Sequence, residues 1–399
     1  MNEACKALRA AGCFLALLSP AGLRAEPYRL PPDLDLLALE GLRDMYRLDY
    51  SSAGESFRKM DSLQPAHPSG PLFMAGLHWW RRTQRVDIAE EDRSLEDAFK
   101  GAVRLCMERA DRPETWGGTP AQEQLYKGMA NGMMARWHIV NFNWVRAYYW
   151  GKKSRRQLRK AVKADPELYD AYLGLGIFDY YADVIPRSLH IPSLLFVRGD
   201  RKAGLEAVER TLREGRYNLA EARLFLINTY NEYERRPQDA LKVADALIET
   251  DRPNVYFRFF RVITLSYLKD WEGLLAEGSA ILGAAQALAP GPLRDQLPLV
   301  RLYMGNAAFA LGRMEESIRL LTEGIEKASD PRRGWVGYCL LRRGQAYDAL
   351  GEREKALGDY RAVLARKAFW YEDRDAKRGL KKPFTREEVL RMIEAPVNQ

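Results

Sequence analysis

The 399-residue chain is predicted to be all-α, an array of about eight helix-turn-helix hairpins stacked on one another. Three observations predict it. Small and aromatic residues return at fixed offsets with a period of roughly thirty-four residues. Apolar residues keep helical spacing on either side of a glycine-containing break. Strand signals are nearly absent, and a hydrophobic content of 47% is that of an ordinary folded protein.

The unit is clearest in LRRGQAYDALGEREKALGDYRAVL, Leu341 to Leu364. Leu350-Gly351 marks a tight turn between two short helices. Gly344 and Ala356 let the two backbones approach closely, and Tyr347 and Tyr360 fill the space beside them. Arg342, Arg343, Glu352, Arg353, Glu354 and Lys355 occupy the faces left in water. Such a hairpin cannot cover its own apolar surface and must stack on copies of itself.

Taken in order, the chain opens with Lys6 and Arg9 ahead of the uncharged run AAGCFLALLSPAGL, Ala10 to Leu23. The run is too short to span a bilayer and has the form of a secretory signal over residues 1–25, cleaved near Ala25. Its removal takes away Lys6, Arg9, Arg24 and Glu3, so the formal charge falls from +8 to +6. That mild excess favours acidic partners or envelope surfaces. No later segment approaches transmembrane length. Cys106 and Cys339 stay in the mature chain, far apart in an elongated array, and are expected as two buried free thiols.

Hairpins are expected over 34–66, 70–112, 121–166, 168–215, 219–252, 255–289, 296–330 and 333–368. In the first, Gly41, Ala53, Phe57 and a closing Pro65 mark the offsets. The third has a long second helix, and the fourth carries the insertion ADVIPRSLHIPSLLFVRGD. In the fifth, Ala240 and Ala244 are the small positions. The seventh repeats the scheme with Gly305, Ala308, Leu311-Gly312, Ser317 and Leu321. A loop seam rich in proline lies near 285–298. The tail 369–399 is expected to hold a capping helix, started by a capping box of Thr385 and Glu388.

These offsets, with proline at several repeat ends, resemble the tetratricopeptide repeat, and several copies in register make the resemblance specific. The block from YDAYLGLGIFDYYADVIP through REGRYNLAEARLFL looks like a segment of bacterial exported tetratricopeptide proteins. Those are distantly similar to the eukaryotic family associated with inclusion-body clearance and outer mitochondrial membrane components. The resemblance implies a right-handed superhelical solenoid and a scaffold for protein interactions.

No HExxH, CxxC, GxSxG, P-loop or GxGxxG occurs, and His67, His78, His138 and His190 are scattered without metal-ligand spacing, so no cofactor or metal is expected. Glu55 within AGESF is the glutamate of a glutamate-serine pair like that of lytic transglycosylases, but Ala53 and Phe57 at core offsets turn it outward. Asp179 and Asp183, one helical turn apart, can serve acid–base work or bind arginines. An envelope enzyme with Glu55 or this aspartate pair in the groove is therefore the alternative reading.

KKSRRQLRKAVK, Lys152 to Lys163, is an amphipathic basic helix. With no aromatic platform inside the run, nucleic acid is not the expected partner. This run, or the apolar insertion Ile185 to Val197, offers peripheral envelope contact. WHIVNFNWVRAYYW, Trp137 to Trp150, places Trp137, Val140, Trp144 and Tyr148 on one helical stripe, expected mostly as core. The function expected is non-catalytic: a concave groove holding a peptide or helix of a partner protein. Its expected contacts are Asn131, Asn141, Tyr172, Asp179, Asn228, Asn231, Arg258 and Asn306.

Overall fold

The computed structural model describes residues 28–88, 92–184, 199–286, 291–368 and 371–395. The leader at 1–25, the insertion Ile185 to Val197 with His190, and part of the seam lie outside the described residues. Within them the chain is helical, without strands.

The helices follow one another as pairs. The first pair is α1 (Pro32–Tyr46) and α2 (Tyr50–Leu63), and the second α3 (Ser69–Thr83) and α4 (Arg93–Ala110). Next come α5 (Pro120–Val140) with α6 (Trp144–Ala164), α7 (Ala171–Val184) with α8 (Arg201–Glu214), and α9 (Leu219–Glu232) with α10 (Pro237–Thr250). The series continues through α11 (Phe257–Leu268) with α12 (Trp271–Gln286), α13 (Leu297–Ala310) with α14 (Met314–Glu326), and α15 (Gly334–Ala349) with α16 (Arg353–Leu364). The tail adds two helices rather than one, α17 (Glu372–Lys381) and α18 (Arg386–Glu394). Each second helix packs against its partner and against the first helix of the next pair, while neighbouring first helices touch one another. The chain is thus an all-α, tetratricopeptide-like hairpin array.

The small positions act as the sequence requires. A methyl group on Gly344 would sit 2.8 Å from Tyr360 Cε1, and one on Gly305 would sit 2.6 Å from Leu321 Cγ, so each glycine seats the large residue of the facing helix. Gly351 turns the last of these hairpins with a φ of 78°. At the small position of the facing helix, serine can stand in for alanine by binding back to the partner. Ser317 Oγ donates to the Gly305 carbonyl and Ser154 Oγ to that of Gly128, both at 2.8 Å. Thr385 and Glu388 form the reciprocal capping box at the start of α18. Cys106 and Cys339 are free and buried, and burial pushes both thiols up to about 12.

The array is not the elongated row that repetition alone suggests. Its first two hairpins fold across the connectors that join later hairpins. Asp35 takes Arg216 Nε at 2.6 Å and Tyr217 Oη at 2.6 Å, and Tyr217 Oη also accepts from Leu30 N at 2.8 Å. Arg47 Nε reaches Asp251 at 2.8 Å, and the Trp80 ring meets Tyr256 edge-on at 6.1 Å. The Gln84 carbonyl accepts from Gln296 Nε2 at 3.1 Å and from Arg333 Nη1 at 2.8 Å. Arg333 also pairs with Asp87 at 3.0 Å, with side chains only 3% and 1% exposed. Residues 216–217, 251–256, 296 and 333 all belong to links between successive hairpins, so one edge of the array is lined by loops and roofed by α1, α3 and the residues flanking them. The reason is apolar area: Leu30, Tyr46 and Trp80 share one core cluster with Tyr217, Tyr256 and Phe257, and a straight row would leave that area in water.

Asp170 prepares one of these links. Its carboxylate, drawn up by burial and pulled back by the backbone N–H groups around it, accepts from the backbone N of Arg216, Tyr217 and Asn218 at 3.1, 2.9 and 2.9 Å. The connector therefore presents Arg216 and Tyr217 to Asp35 in a fixed pose.

The stretch Trp137 to Trp150 is not one continuous helix. It turns at 141–143, where Phe142 takes a left-handed φ of 56° and Asn143 caps α6 by accepting from Arg146 N at 3.2 Å. Trp137 is core, stacked on Phe99 at 4.3 Å, but Phe142, Trp144 and Tyr149 point outward.

Four outcomes are expected. A methyl group on Gly176 would lie 2.5 Å from the Gly204 backbone oxygen, so Gly176→Ala should cost about 1–3 kcal/mol. Gly283, with open space around it, should tolerate alanine and gain about 0.5–1 kcal/mol, both read by urea unfolding. Arg333→Ala, which strands buried Asp87, should cost about 3–5 kcal/mol, whereas the paired change Asp87→Leu with Arg333→Met should cost far less in the same assay. His67 and His78 are held by burial at about 4 against 6.5 in the unfolded chain. The unfolded state therefore takes their protons first, and stability should fall as pH drops from about 6.5 through about 4. His67→Gln should flatten part of that fall in a series of unfolding curves.

Candidate binding groove

The first helices of the pairs form the inside of the array, and their C-terminal halves point away from the roofed edge. The most continuous surface there is aromatic. Tyr181 lies in the last turn of α7, Tyr233 follows α9, Tyr267 lies in the last turn of α11, and Tyr303 stands on α13. The Tyr181 and Tyr233 rings meet edge-on at 5.8 Å, and Asn228 of α9 hydrogen-bonds Tyr181. Tyr267 lies near both Tyr233 and Tyr303. Tyr233 and Asn228 are exposed, while Tyr181, Tyr267 and Tyr303 are half-buried.

Glu232 sets the electrostatics of this wall. Burial raises all four phenols, and the Glu232 carboxylate adds to the rise in each. Tyr303 is pushed up to about 12. The hydroxyls therefore stay protonated at physiological pH and serve as neutral donors and acceptors. Deeper in, Arg136 of α5 forms an ion pair with Glu221 of α9 and lies 4.9 Å over the Trp79 ring, bridging two inner helices. The surface combines flat rings, few charges and rigid backbone, which suits the capture of a peptide or a helix face.

The residues singled out from the sequence separate into two sets. Asn131 is buried and donates to Lys127 O at 2.7 Å and Gln157 Oε1 at 2.5 Å, tying α5 to α6. Asn231 is buried too and donates to Thr264 Oγ1 at 3.0 Å, tying α9 to α11. Arg258 pairs with Glu277 of α12. Tyr172 donates to Pro166 O at 3.2 Å and lies under the Arg210 guanidinium. Asn141 is exposed, closes α5 through Trp137 O at 2.7 Å, and accepts from Arg82 at 3.2 Å. Asp179 pairs with Arg155 at 2.5 Å and Arg159 at 3.7 Å, as an arginine-binding carboxylate does, while Asp183 is exposed. Asn228 and Asn306 stand beside the tyrosines, and Asn306 Oδ1 is buried without a hydrogen-bond partner. Glu55 is exposed on α2, an outer helix, and no cluster of metal-ligating side chains occurs among the described residues.

Sequence reasoning passed over Tyr181, Tyr233, Tyr267 and Tyr303. A signal was present: in DYYADV, TYNEY and LSYLKD a tyrosine recurs near the end of the inner helix.

No protein-family model matches the chain, and no curated protein is similar to it. Among solved structures it is similar to a tetratricopeptide repeat protein from Parabacteroides merdae, with 11% identity over 88% of this chain and 98% of that chain, at a TM-score of 0.32. It is similar to NprR in complex with its cognate peptide NprX, with 12% identity over 89% and 99% of the two chains and a TM-score of 0.41. A human IFIT1 dimer with PPP-AAAA gives 10% identity over 92% and 83%, with a TM-score of 0.42. By the packing of its own hairpins, the chain is a tetratricopeptide-like helical repeat protein.

Replacing Tyr267 and Tyr303 together by phenylalanine should leave stability within about 0.5 kcal/mol per site, because neither hydroxyl is required to hold the fold. Matched urea curves check this and separate the wall from the core.

Proposed function

We propose that this chain is a non-catalytic scaffold that holds a peptide or a helix of a partner protein against the inner tyrosine wall. The observation that carries the reading is the run of Tyr181, Tyr233, Tyr267 and Tyr303 across four successive inner helices, with Asn228 beside it. Tyrosine gives large contact area with little rotamer entropy to lose, and the stacked helices hold it in place before a partner arrives.

The apolar leader at residues 1–25 supports placing this work in the cell envelope after export, as the resemblance to exported tetratricopeptide proteins does. A protein guest rather than nucleic acid suits the wall, where Glu232 is acidic and Arg136 is already paired with Glu221.

Photocrosslinking tests the reading. A photoreactive residue at position 267, introduced into the full chain in intact cells, should capture a discrete protein, while one at position 55 should not. Tyr267→Ala with Tyr303→Ala should weaken the captured partner's binding by at least about tenfold, with the helical spectrum unchanged. Capture at position 55 alone, or hydrolysis of peptidoglycan by the purified chain, would overturn the proposal.

A further inference from the structure

The outer helix α6 carries a second surface that the groove does not explain. Its twenty-one residues include eight lysines and arginines and not one acidic residue. The buried face is Ala147, Gly151, Ser154, Leu158 and Ala161. Opposite it, at helical spacing, Lys152, Arg156, Arg159, Lys160 and Lys163 are exposed. Asp179 takes up Arg155 and reaches Arg159 at 3.7 Å, but no carboxylate of the described residues pairs with Lys152, Arg156, Lys160 or Lys163. An acid-free stripe three turns long is unusual in a chain whose other outer helices are laced with i,i+3 and i,i+4 ion pairs, as α4 and α14 are.

The stripe continues into an apolar tip. Of the eleven large hydrophobic residues exposed among the described residues, five fall between positions 139 and 149. Ile139, Phe142, Trp144, Val145 and Tyr149 are 38–58% exposed. Val145 and Tyr149 lie on the same face of α6 as the basic residues. Phe142 is the sharpest of them. It occupies the left-handed turn position, with a φ of 56°, that glycine or asparagine fills at low cost, although asparagines stand on both sides of it. Leu48, Arg235 and Lys269 take the same left-handed φ at other turns, but of these four residues only Phe142 exposes a large apolar side chain.

We propose that this corner is a docking surface for an anionic membrane. Charge complementarity selects the occupant: a plane of lipid phosphates meets the whole stripe at once, while Phe142, Trp144 and Val145 enter the acyl boundary beneath it. Tyrosine and tryptophan at the junction of the two zones match the interfacial layer. The segregation of apolar tip from basic stripe argues against single-stranded nucleic acid, which needs aromatic platforms between the charges. The surface lies on an outer helix and leaves the tyrosine wall free for its guest.

The test uses the full chain after leader removal, with vesicles of phosphatidylcholine alone or mixed with phosphatidylglycerol. Cosedimentation should occur with the mixed vesicles and fall steeply with salt. The triple change Lys152→Glu, Arg156→Glu and Lys160→Glu should lower partitioning by at least about tenfold, and so should Phe142→Gly with Trp144→Ser. An environment-sensitive dye on Val145→Cys should shift to the blue on the mixed vesicles, reporting insertion. Equal binding to uncharged vesicles, binding without the dye shift, or tighter binding to an oligonucleotide than to the mixed vesicles would each overturn the proposal. Thermal unfolding of each variant confirms that a loss is not misfolding.

Discussion

An unpaired hairpin is wet on one face, and the rest of the structure depends on that. Two helices of some twelve to twenty residues can cover each other along one seam and no more. The next hairpin supplies the missing cover, which is why Gly305 and Gly344 are held so close to Leu321 and Tyr360: only a small residue lets the second helix come near enough for the following pair to seal both. At the two ends the same need has different solutions. The C-terminal pair is covered by α17 and α18, with Phe384 and Val389 buried in its cluster. The N-terminal pairs instead turn back over the connectors, and Tyr46, Trp80, Tyr256 and Phe257 share their apolar area there.

That closure gives the molecule two unequal edges. On one, loops are roofed and locked by the buried Asp87–Arg333 pair. On the other, the inner helices end in tyrosines held by packed neighbours. Tyr180, fully buried, donates to Glu234 at 2.6 Å, and Arg201 secures the same carboxylate, so the ring next to Tyr181 and Tyr233 cannot drift. Preorganisation of this kind concentrates recognition on one face. The outer helix α6 is set apart from both edges by its unbroken positive charge.

Local features were legible in the sequence. The seating of Tyr360 against Gly344, the turn at Gly351 and the capping box of Thr385 and Glu388 each involve residues within about one hairpin, so spacing alone reveals them. Closure was not legible, because Gln84 and Arg333 lie 249 positions apart and no period links them. The contact set was only partly legible. A polar residue on an inner helix can stay exposed at the groove or be buried between helices at the same spacing; Asn228 is exposed beside Tyr181, whereas Asn131 and Asn231 are buried. The break at Phe142 escaped notice because a phenylalanine in a left-handed turn has no sequence signature, and the helical period across Trp137 to Trp150 therefore read as continuous.

The closed array is most directly tested by the distance between spin labels at positions 43 and 249, both exposed, on α1 and α10 near the Arg47–Asp251 contact. Pulsed dipolar spectroscopy on the full chain should give one narrow peak below about 25 Å. Hairpins laid in an open row, at helix-packing distances of about 10 Å per layer, would put the labels roughly 40 Å apart or more. A peak in that range, or a broad distribution spanning it, would contradict the account.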